Sequence, residues 1–308
     1  MLRFVLIRLL RAVVTVFAVM TFAFVVLRLS GDPAEVLLGP DVPQDAIAAF
    51  RDAWGLDAPV WQQYLSYIGQ MFSGDFGVSM RDKSPALDLV LERVPATLAL
   101  TIPAIILKIT LGIPAGVYAA LHRNSTVDRG VILLAVMGFT IPSFVMGLVL
   151  VLVFAVTLGW LPSGGDATWQ HAILPAITMS VGGIGILARF SRSAMIEVMG
   201  QPYIRTASAK GVKWGDVVRG HALPNAAVPI VTIVGFMVGS LLAGAVVVET
   251  IFSWPGIGRL LIVSVTNRDL AVVQCILLLI AAVMVVSNLV VDLLYGWLDP
   301  RLRGRPAH

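Results

Sequence analysis

Between Asp269 and Asp292 the chain reads Leu270-Ala-Val-Val-Gln-Cys-Ile-Leu-Leu-Leu-Ile-Ala-Ala-Val-Met-Val-Val-Ser-Asn-Leu-Val-Val291, which is 22 residues without an acidic or basic side chain. About 20 helical residues cross a bilayer core of about 30 Å, so this stretch is long enough to span a membrane. Three more runs lack Asp, Glu, Lys and Arg, and they cover 36, 22 and 29 residues: 130–165, 167–188 and 220–248. The pattern predicts a polytopic membrane protein.

The composition of the whole chain agrees with this prediction. Among 308 residues, 13% are charged and 58% are apolar, against about 25% and about 45–50% in soluble domains. A soluble enzyme, a nucleic-acid binder and a disordered chain are therefore excluded as descriptions of the whole. The single cysteine, Cys275, excludes an intrachain disulfide and a cysteine metal cluster.

We expect an all-α fold with six transmembrane helices, placed at Leu9–Leu29, Pro95–Leu121, Val131–Leu158, Ala172–Ala188, Ala226–Val248 and Leu270–Asp292. The first is the shortest, with arginines at both ends that can reach the interface. A cleaved signal peptide is the alternative for it. No small-x-small cleavage pattern follows Arg28, so a retained anchor is favoured.

The distribution of basic residues predicts the orientation, because cytoplasmic loops are enriched in Lys and Arg. With the N-terminus in the cytoplasm, the inner segments hold 14 basic and four acidic residues, and the outer segments hold seven basic and 13 acidic residues. Both termini are therefore expected inside. The basic pI of about 9.5 is therefore attributed to topology and not to a nucleic-acid partner.

The spans and the polar segments divide the chain into four regions. These are 1–29 with the first helix, an external cap at 30–93, a membrane domain at 94–295 that contains a cytoplasmic loop at about 197–224, and a cytoplasmic tail at 296–308. Within the cap, Pro43–Trp54 and Val60–Phe72 have amphipathic helix character. A further helix, Ala86–Val94, is expected to run toward the second span.

The sequence predicts no catalytic, cofactor-binding or metal site. It contains no Walker phosphate-loop pattern and no His-Glu-x-x-His pair, which are the signatures of nucleotide and zinc-protease sites. The run Gly182-Gly183-Ile184-Gly185 resembles a dinucleotide loop but lies in an apolar span. We interpret it, with Gly112-x3-Gly116 and Gly235-x3-Gly239, as close helix packing.

One ionisable residue is expected at membrane depth. Lys108 lies in the middle of the second span, where a lysine costs about 2.5–3.5 kcal/mol on insertion scales. It is a candidate for the substrate pathway. The alternative is a lysine that reaches the interface or caps a kink, since Pro103 and Pro114 interrupt the same helix.

The loop from Arg189 to Pro224 carries the most specific pattern. Gln201-Pro202 predicts the start of a short helix, and Gly211 predicts its end. A short basic helix outside the membrane suits docking into a groove of another protein, or contact with anionic lipid. The residues alone leave both open.

This loop resembles the EAA loop of ABC-importer permeases, Glu-Ala-Ala-x3-Gly-x9-Ile-x-Leu-Pro. Ala207, Gly211, Leu223 and Pro224 keep the pattern, whereas Arg205, Thr206 and His221 depart from it. The form Arg-Thr-Ala-x-Ala-Lys-Gly is similar to that of dipeptide and oligopeptide permeases. Other stretches that resemble this branch are Leu6–Leu10, Gly31–Ala34, Gly55–Pro59, Gln63-Tyr64, Gly74–Ser79, Arg93–Leu98 and Glu249–Gly258.

The resemblance implies a type I permease fold and a non-enzymatic subunit of an ATP-driven importer of di- or oligopeptides in a bacterial inner membrane. Its implied partners are a homologous permease, two ATPase subunits that bind ATP and Mg, and an external binding protein. The residues implied in coupling to the ATPases are Arg205, Thr206, Ala207, Ala209, Lys210 and Gly211. Ala207 is expected to supply the close docking face.

Glu249, Phe252 and Trp254 are candidates for an outer gate or for contact with the binding protein. Alternatively, the two aromatic residues anchor the loop at the headgroup level. The same machine could import nickel complexes or haem, and in a different class the chain would be a channel or receptor without an ATPase. The 30–93 cap would receive the binding protein or cover the helix ends.

Overall fold

A computed structural model describes residues 2–29, 31–39 and 42–298, and within these ranges it contains helices and no strand. The α-helices are α1 Leu2–Leu29, α2 Pro33–Leu38, α3 Gln44–Ala53, α4 Val60–Phe72, α5 Ala86–Leu107, α6 Ile113–Leu121, α7 Thr126–Thr140, α8 Ser143–Leu150, α9 Ile173–Met199, α10 Pro202–Ala209, α11 Trp214–Val217, α12 Leu223–Gly239, α13 Leu241–Ile251, α14 Ile257–Thr266 and α15 Leu270–Leu298. Wider π-helical turns lie at Lys108–Gly112, Val151–Thr157 and Val218–Ala222, and a 3-10 turn lies at Trp169–Ala172.

Four continuous helical stretches are long and apolar enough to cross a membrane: Ala86–Leu121, Trp169–Met199, Trp214–Gly239 and Leu270–Val290. They contain the predicted second and fourth spans and most of the fifth and sixth. In α1 the apolar stretch is the shorter Val13–Val26. The count of six spans and the cytoplasmic position of both termini stay predictions, and the tail beyond 298 lies outside the described residues.

The third span differs from the expected single helix over Val131–Leu158. It is a pair, Thr126–Thr140 and Ser143–Thr157, bent by 101°. The cause is Pro142, because a proline drives the preceding residue out of the helical region; Ile141 has φ −73° and ψ 120°. The predicted fifth span, Ala226–Val248, is likewise interrupted at Ser240, between α12 and α13.

The chain forms two compact units, and the first comprises residues 1–97 and 255–283. Its core contains Ala86, Val90, Ile257, Val272 and Ile276. The expected spans leave residues 249–269 as a polar segment between the fifth and sixth spans, and within it residues 257–266 form α14. The backbone N–H of Ile257 donates to Thr97 Oγ1 at 2.8 Å, which fixes the start of that helix on α5.

The helices predicted in the 30–93 region are confirmed, as α3 and α4. Asp32 caps α2 through the N–H of Ala34 and pairs with Arg51. Further along, the buried hydroxyl of Ser79 donates to the buried carboxylate of Asp269. These contacts tie the polar segment to the helices of its own unit.

Among the described residues, the second unit comprises 98–254 and 284–298, and α9 lies at its centre. A Cβ at Gly112 would lie 2.8 Å from Leu187, and one at Gly116 would lie 2.8 Å from Ser191. A Cβ at Gly185 would meet the backbone of Ala135 on α7. The predicted role of Gly112-x3-Gly116 and of the Gly182–Gly185 run in close helix packing is confirmed.

Candidate functional site

The predicted helix of the cytoplasmic loop is α10, and its ends follow from two residues. Gln201 has extended backbone angles and Pro202 occupies the first turn, where its missing N–H costs nothing. At the other end Gly211 has φ 78°, the left-handed region that favours glycine. The start and stop predicted from the sequence are confirmed.

The inner side of α10 rests on this chain itself. Ile204 is buried in a cluster with Met195, Val217 and Ala222, and Ala207 packs against the same cluster. The structure therefore places Ala207 differently from the expectation, because its methyl group seats α10 on its own subunit and is not on the outward side. Three residues apart, Ile204 and Ala207 lie on one face of the helix.

The outer side of α10 carries most of the other predicted coupling residues. Arg205, Thr206, Ala209 and Lys210 are exposed, as is Gly211. Thr206 Oγ1 donates back to the carbonyl of Pro202 at 3.0 Å, so its hydroxyl is already used within the helix. Exposed Tyr203 and Trp214 flank this basic surface. Aromatic and Arg side chains together are typical of protein interfaces.

The loop continues into a span without a break in the helix. α11, the π-helical turn at Val218–Ala222 and α12 form one stretch, Trp214–Gly239. The Leu223-Pro224 pair of the sequence pattern opens α12. Val217, Ala222 and Ala226 from this stretch lie in the same buried cluster as Ile204. Packed side chains therefore connect α10 to the start of this span.

Lys108 opens the π-helical turn after α5 and is 9% exposed. Its aliphatic part crosses Gly183 on α9, where a Cβ would lie 2.6 Å from its Cδ and Cε atoms. Its ammonium group makes no ion pair or hydrogen bond with any residue that the structure describes. A buried charge without a protein partner is costly, and in membrane helices such residues mark pathways.

Glu249, Phe252 and Trp254 are all buried. The turn that holds them closes when the N–H of Trp254 donates to the carbonyl of Glu249 at 2.8 Å, with Ser253 at φ 51°. Phe252 packs with Leu174 and Val248. Both rings are buried within the protein, and their place in an outer gate stays a prediction.

An ion pair that sequence reasoning missed joins α7 to α9. Asp128 is 3% exposed, and it accepts from Arg192 Nε at 2.5 Å and Nη2 at 2.7 Å. Its Oδ2 also accepts from the N–H of Asn124 at 2.9 Å. The only local signal was Ser125, whose side chain caps α7 through the N–H of Asp128; Arg192 is too distant in sequence for a local pattern to reveal.

Comparison with known proteins decides the family. The profile described as "Binding-protein-dependent transport system inner membrane component" matches residues 112–304, and the profile of the N-terminal part of such components matches 1–101. The chain belongs to this family of ABC-importer permeases. This permease is thus a multi-pass protein of the inner membrane.

Relatives of the permease match along almost its whole length. The glutathione transport system permease proteins of Escherichia coli strain K12 and of Shigella dysenteriae serotype 1 are each 42% identical over 304 residues, which is 98% of this chain and 99% of theirs. A solved structure titled as an inward-facing MetNI methionine ABC transporter matches with a TM-score of 0.56 at 20% identity, over 68% of the permease and 96% of that chain. The latter supports the fold alone.

Proposed function

We propose that this permease carries short peptides inward in an importer that contains a homologous permease, two ATPase subunits and an external binding protein. The observation that carries the proposal is the 42% identity to glutathione permeases over 98% of the chain. Glutathione is a tripeptide, so a short peptide belongs to the same chemical class as the substrate named for these relatives. We expect the external binding protein to determine which peptide is carried. Nickel complexes and haem are the alternative substrates, and a substrate screen would distinguish them from peptides.

The exposed side of α10 is the proposed contact with an ATPase subunit. It supplies Arg205, Thr206, Ala209 and Lys210, and the flanking Tyr203 adds an aromatic surface. Gly211 fixes the end of the helix through its left-handed conformation. Ala207 acts from the inner side, since it keeps α10 seated on the cluster that includes Ile204.

Within the membrane, Lys108 is proposed to line the substrate path. Its ammonium group has no partner among the described residues, so a passing carboxylate would meet an unoccupied donor, and every unmodified linear peptide has a terminal carboxylate. Glu249, Phe252 and Trp254 are proposed to belong to the outer gate. There the buried turn directly follows α13, so a shift in the turn would move the end of that helix.

The coupling proposal is tested with Ala209→Glu in the transporter reconstituted with its copurifying subunits and its binding protein. A carboxylate on the outer side of α10 should repel or displace the docked surface, lowering peptide uptake and the stimulation of ATP hydrolysis together. Gly211→Val should act in the same direction, at a cost of about 1 kcal/mol in the left-handed region. Ala207→Glu should instead detach α10 from its own subunit.

The matched control is Thr126→Glu, which adds a carboxylate at an exposed position in the first turn of α7, where acidic residues are tolerated. It should leave uptake and ATP hydrolysis unchanged. Normal uptake by Ala209→Glu and Gly211→Val, with the ATPase subunits attached, would show that α10 is not the coupling element. If the unmodified transporter took up haem or nickel complexes and no peptides, the proposed peptide substrate would be wrong. The proposed coupling role of α10 would not be affected.

A further inference from the structure

Helix α4 presents three different faces, and only one of them is covered by this chain. Tyr64, Tyr67 and Met71 are partly buried on one side. Gln62, Ser66 and Gln70 are exposed on a second, polar side. The third side is an apolar stripe, spaced by four, three and four residues as on one helix face: Trp61, Leu65, Ile68 and Phe72.

Three of the four residues of the apolar stripe are exposed, and Ile68 is partly buried. Trp61 is 65% exposed, Leu65 is 59% exposed and Phe72 is 84% exposed. The helix lies in a run of 17 residues without a charged side chain, 58–74, between Asp57 and Asp75. A helix of the aqueous cap would gain nothing from such a stripe, since exposed apolar stripes of this kind mark contact with a partner or a membrane.

The contacts of α4 with α1 give its depth. The hydroxyl groups of Thr21 and Tyr64 are 2.7 Å apart. Phe24 meets the rings of Tyr64 and Tyr67 at centroid distances of 5.3 and 5.8 Å. Thr21 lies five residues inside Val26, the end of the apolar stretch of α1, and at 1.5 Å per residue this is about 7.5 Å below that end.

We propose that α4 lies in the plane of the outer leaflet, with the stripe of Trp61, Leu65, Ile68 and Phe72 in contact with lipid. A depth of about 7.5 Å falls within the roughly 5–10 Å to which interfacial helices bury their apolar face. On α1, the helix that α4 contacts, Phe22 and Val25 are exposed as well. The polar side with Gln62, Ser66 and Gln70 then faces the headgroups.

The function of this arrangement is to hold the external region on the membrane surface. Arg28, at the end of α1, donates to the carbonyl of Leu56 at 2.7 Å, so the chain leading into α4 is fixed at the end of the same span. The residues before α4 are thereby kept at a set height above the bilayer. This inference does not depend on the substrate.

The test uses spin labels at single cysteines in a Cys275→Ala background, with the permease and its copurifying subunits in lipid nanodiscs. Leu65→Cys reports the stripe, Ser66→Cys reports the polar side, and Asp45→Cys on α3 is the aqueous control. Collision rates are measured with oxygen, which concentrates in lipid, and with a water-soluble nickel chelate. At Leu65 oxygen should dominate, whereas at Ser66 and Asp45 the nickel chelate should dominate.

Two results would overturn the proposal. If the label at Leu65 collides with the nickel chelate as often as the label at Asp45, the stripe faces water. If it is shielded from both reagents, a protein subunit covers the stripe. Leu65→Ser and its matched control Ser66→Ala give a second measurement, in which only the former should lower the oxygen collisions of a label at Phe72→Cys.

Discussion

Two cationic side chains lie at the helix α9, and they differ in whether the protein supplies a partner for the charge. Arg192 belongs to α9 and is held by the buried carboxylate of Asp128 through two hydrogen bonds. Lys108 crosses α9 at Gly183 and has no partner among the described residues. The first arrangement joins two helices, whereas the second leaves a donor unused.

The difference separates structural charges from candidate functional ones. A buried pair stabilises little relative to apolar residues, but the loss of one partner is expensive because the other charge remains. A lone buried cation, in contrast, lowers the stability of the protein, and such residues in membrane helices are usually functional. Removal of Asp128 should therefore harm folding, and removal of Lys108 should harm transport and not folding.

The largest effect is expected for Asp128→Ala. The guanidinium of Arg192 and the N–H of Asn124 would lose their acceptors, and the free energy of unfolding should fall by about 3 kcal/mol, at the lower end for a broken buried pair, since the Arg192 side chain remains 23% exposed. Thermal unfolding in nanodiscs measures the change. The double variant Asp128→Asn with Arg192→Met should be more stable than Asp128→Ala, and equal losses would show that the pair is not the source.

A smaller effect of opposite sign on stability is expected for Lys108→Met. Removal of the ammonium group should raise the free energy of unfolding by up to about 2 kcal/mol, since a lysine at membrane depth costs about that much or more. Peptide uptake should fall while the subunits remain assembled. Lys108→Arg keeps the charge and should retain more uptake than Lys108→Met. Unchanged uptake in Lys108→Met would return the residue to the role of a kink cap.

The smallest effect is expected for Gly183→Ala, which probes the same lysine from the other helix. The new methyl group would meet Cδ and Cε of Lys108 at 2.6 Å, at a cost of about 1 kcal/mol for overpacking. In a Lys108→Ala background this cost should disappear, because the two residues are in contact and are not additive. Gly130→Ala on α7 meets open space and serves as the control. Equal costs in both backgrounds would show that the lysine does not lie across Gly183.

The features of the fold that depend on neighbouring residues in the sequence could be predicted. Uncharged runs located most of the spans, and Pro202 and Gly211 located α10, because a proline at the first turn and a left-handed glycine act on their immediate neighbours. Pro142 is a local signal for the bend between α7 and α8, which the expectation of one continuous third span did not include. The helix α14 was missed since Arg259 and Arg268 made its segment appear as a polar loop.

The candidate site was less predictable, because the direction of a side chain depends on distant residues. The spacing in α10 did not reveal that Ala207 faces Ile204 and its cluster, which gathers residues from α9, α11 and α12. The partners Asp128 and Arg192 are 64 positions apart. The burial of Phe252 likewise arises from Leu174 and Val248, and no short pattern around Phe252 indicates it.

The π-helical turn at Val218–Ala222 sets the rotational phase between the cytoplasmic loop and the membrane helix that follows. Such a turn accommodates one residue more than an α-helical turn, and one residue corresponds to a rotation of about 100° and a rise of 1.5 Å. The insertion or removal of one residue in this turn would therefore rotate the preceding helix α11, and α10 with it, around the axis of α12. The number of residues in this one turn therefore contributes to the direction in which Arg205 and Lys210 are exposed.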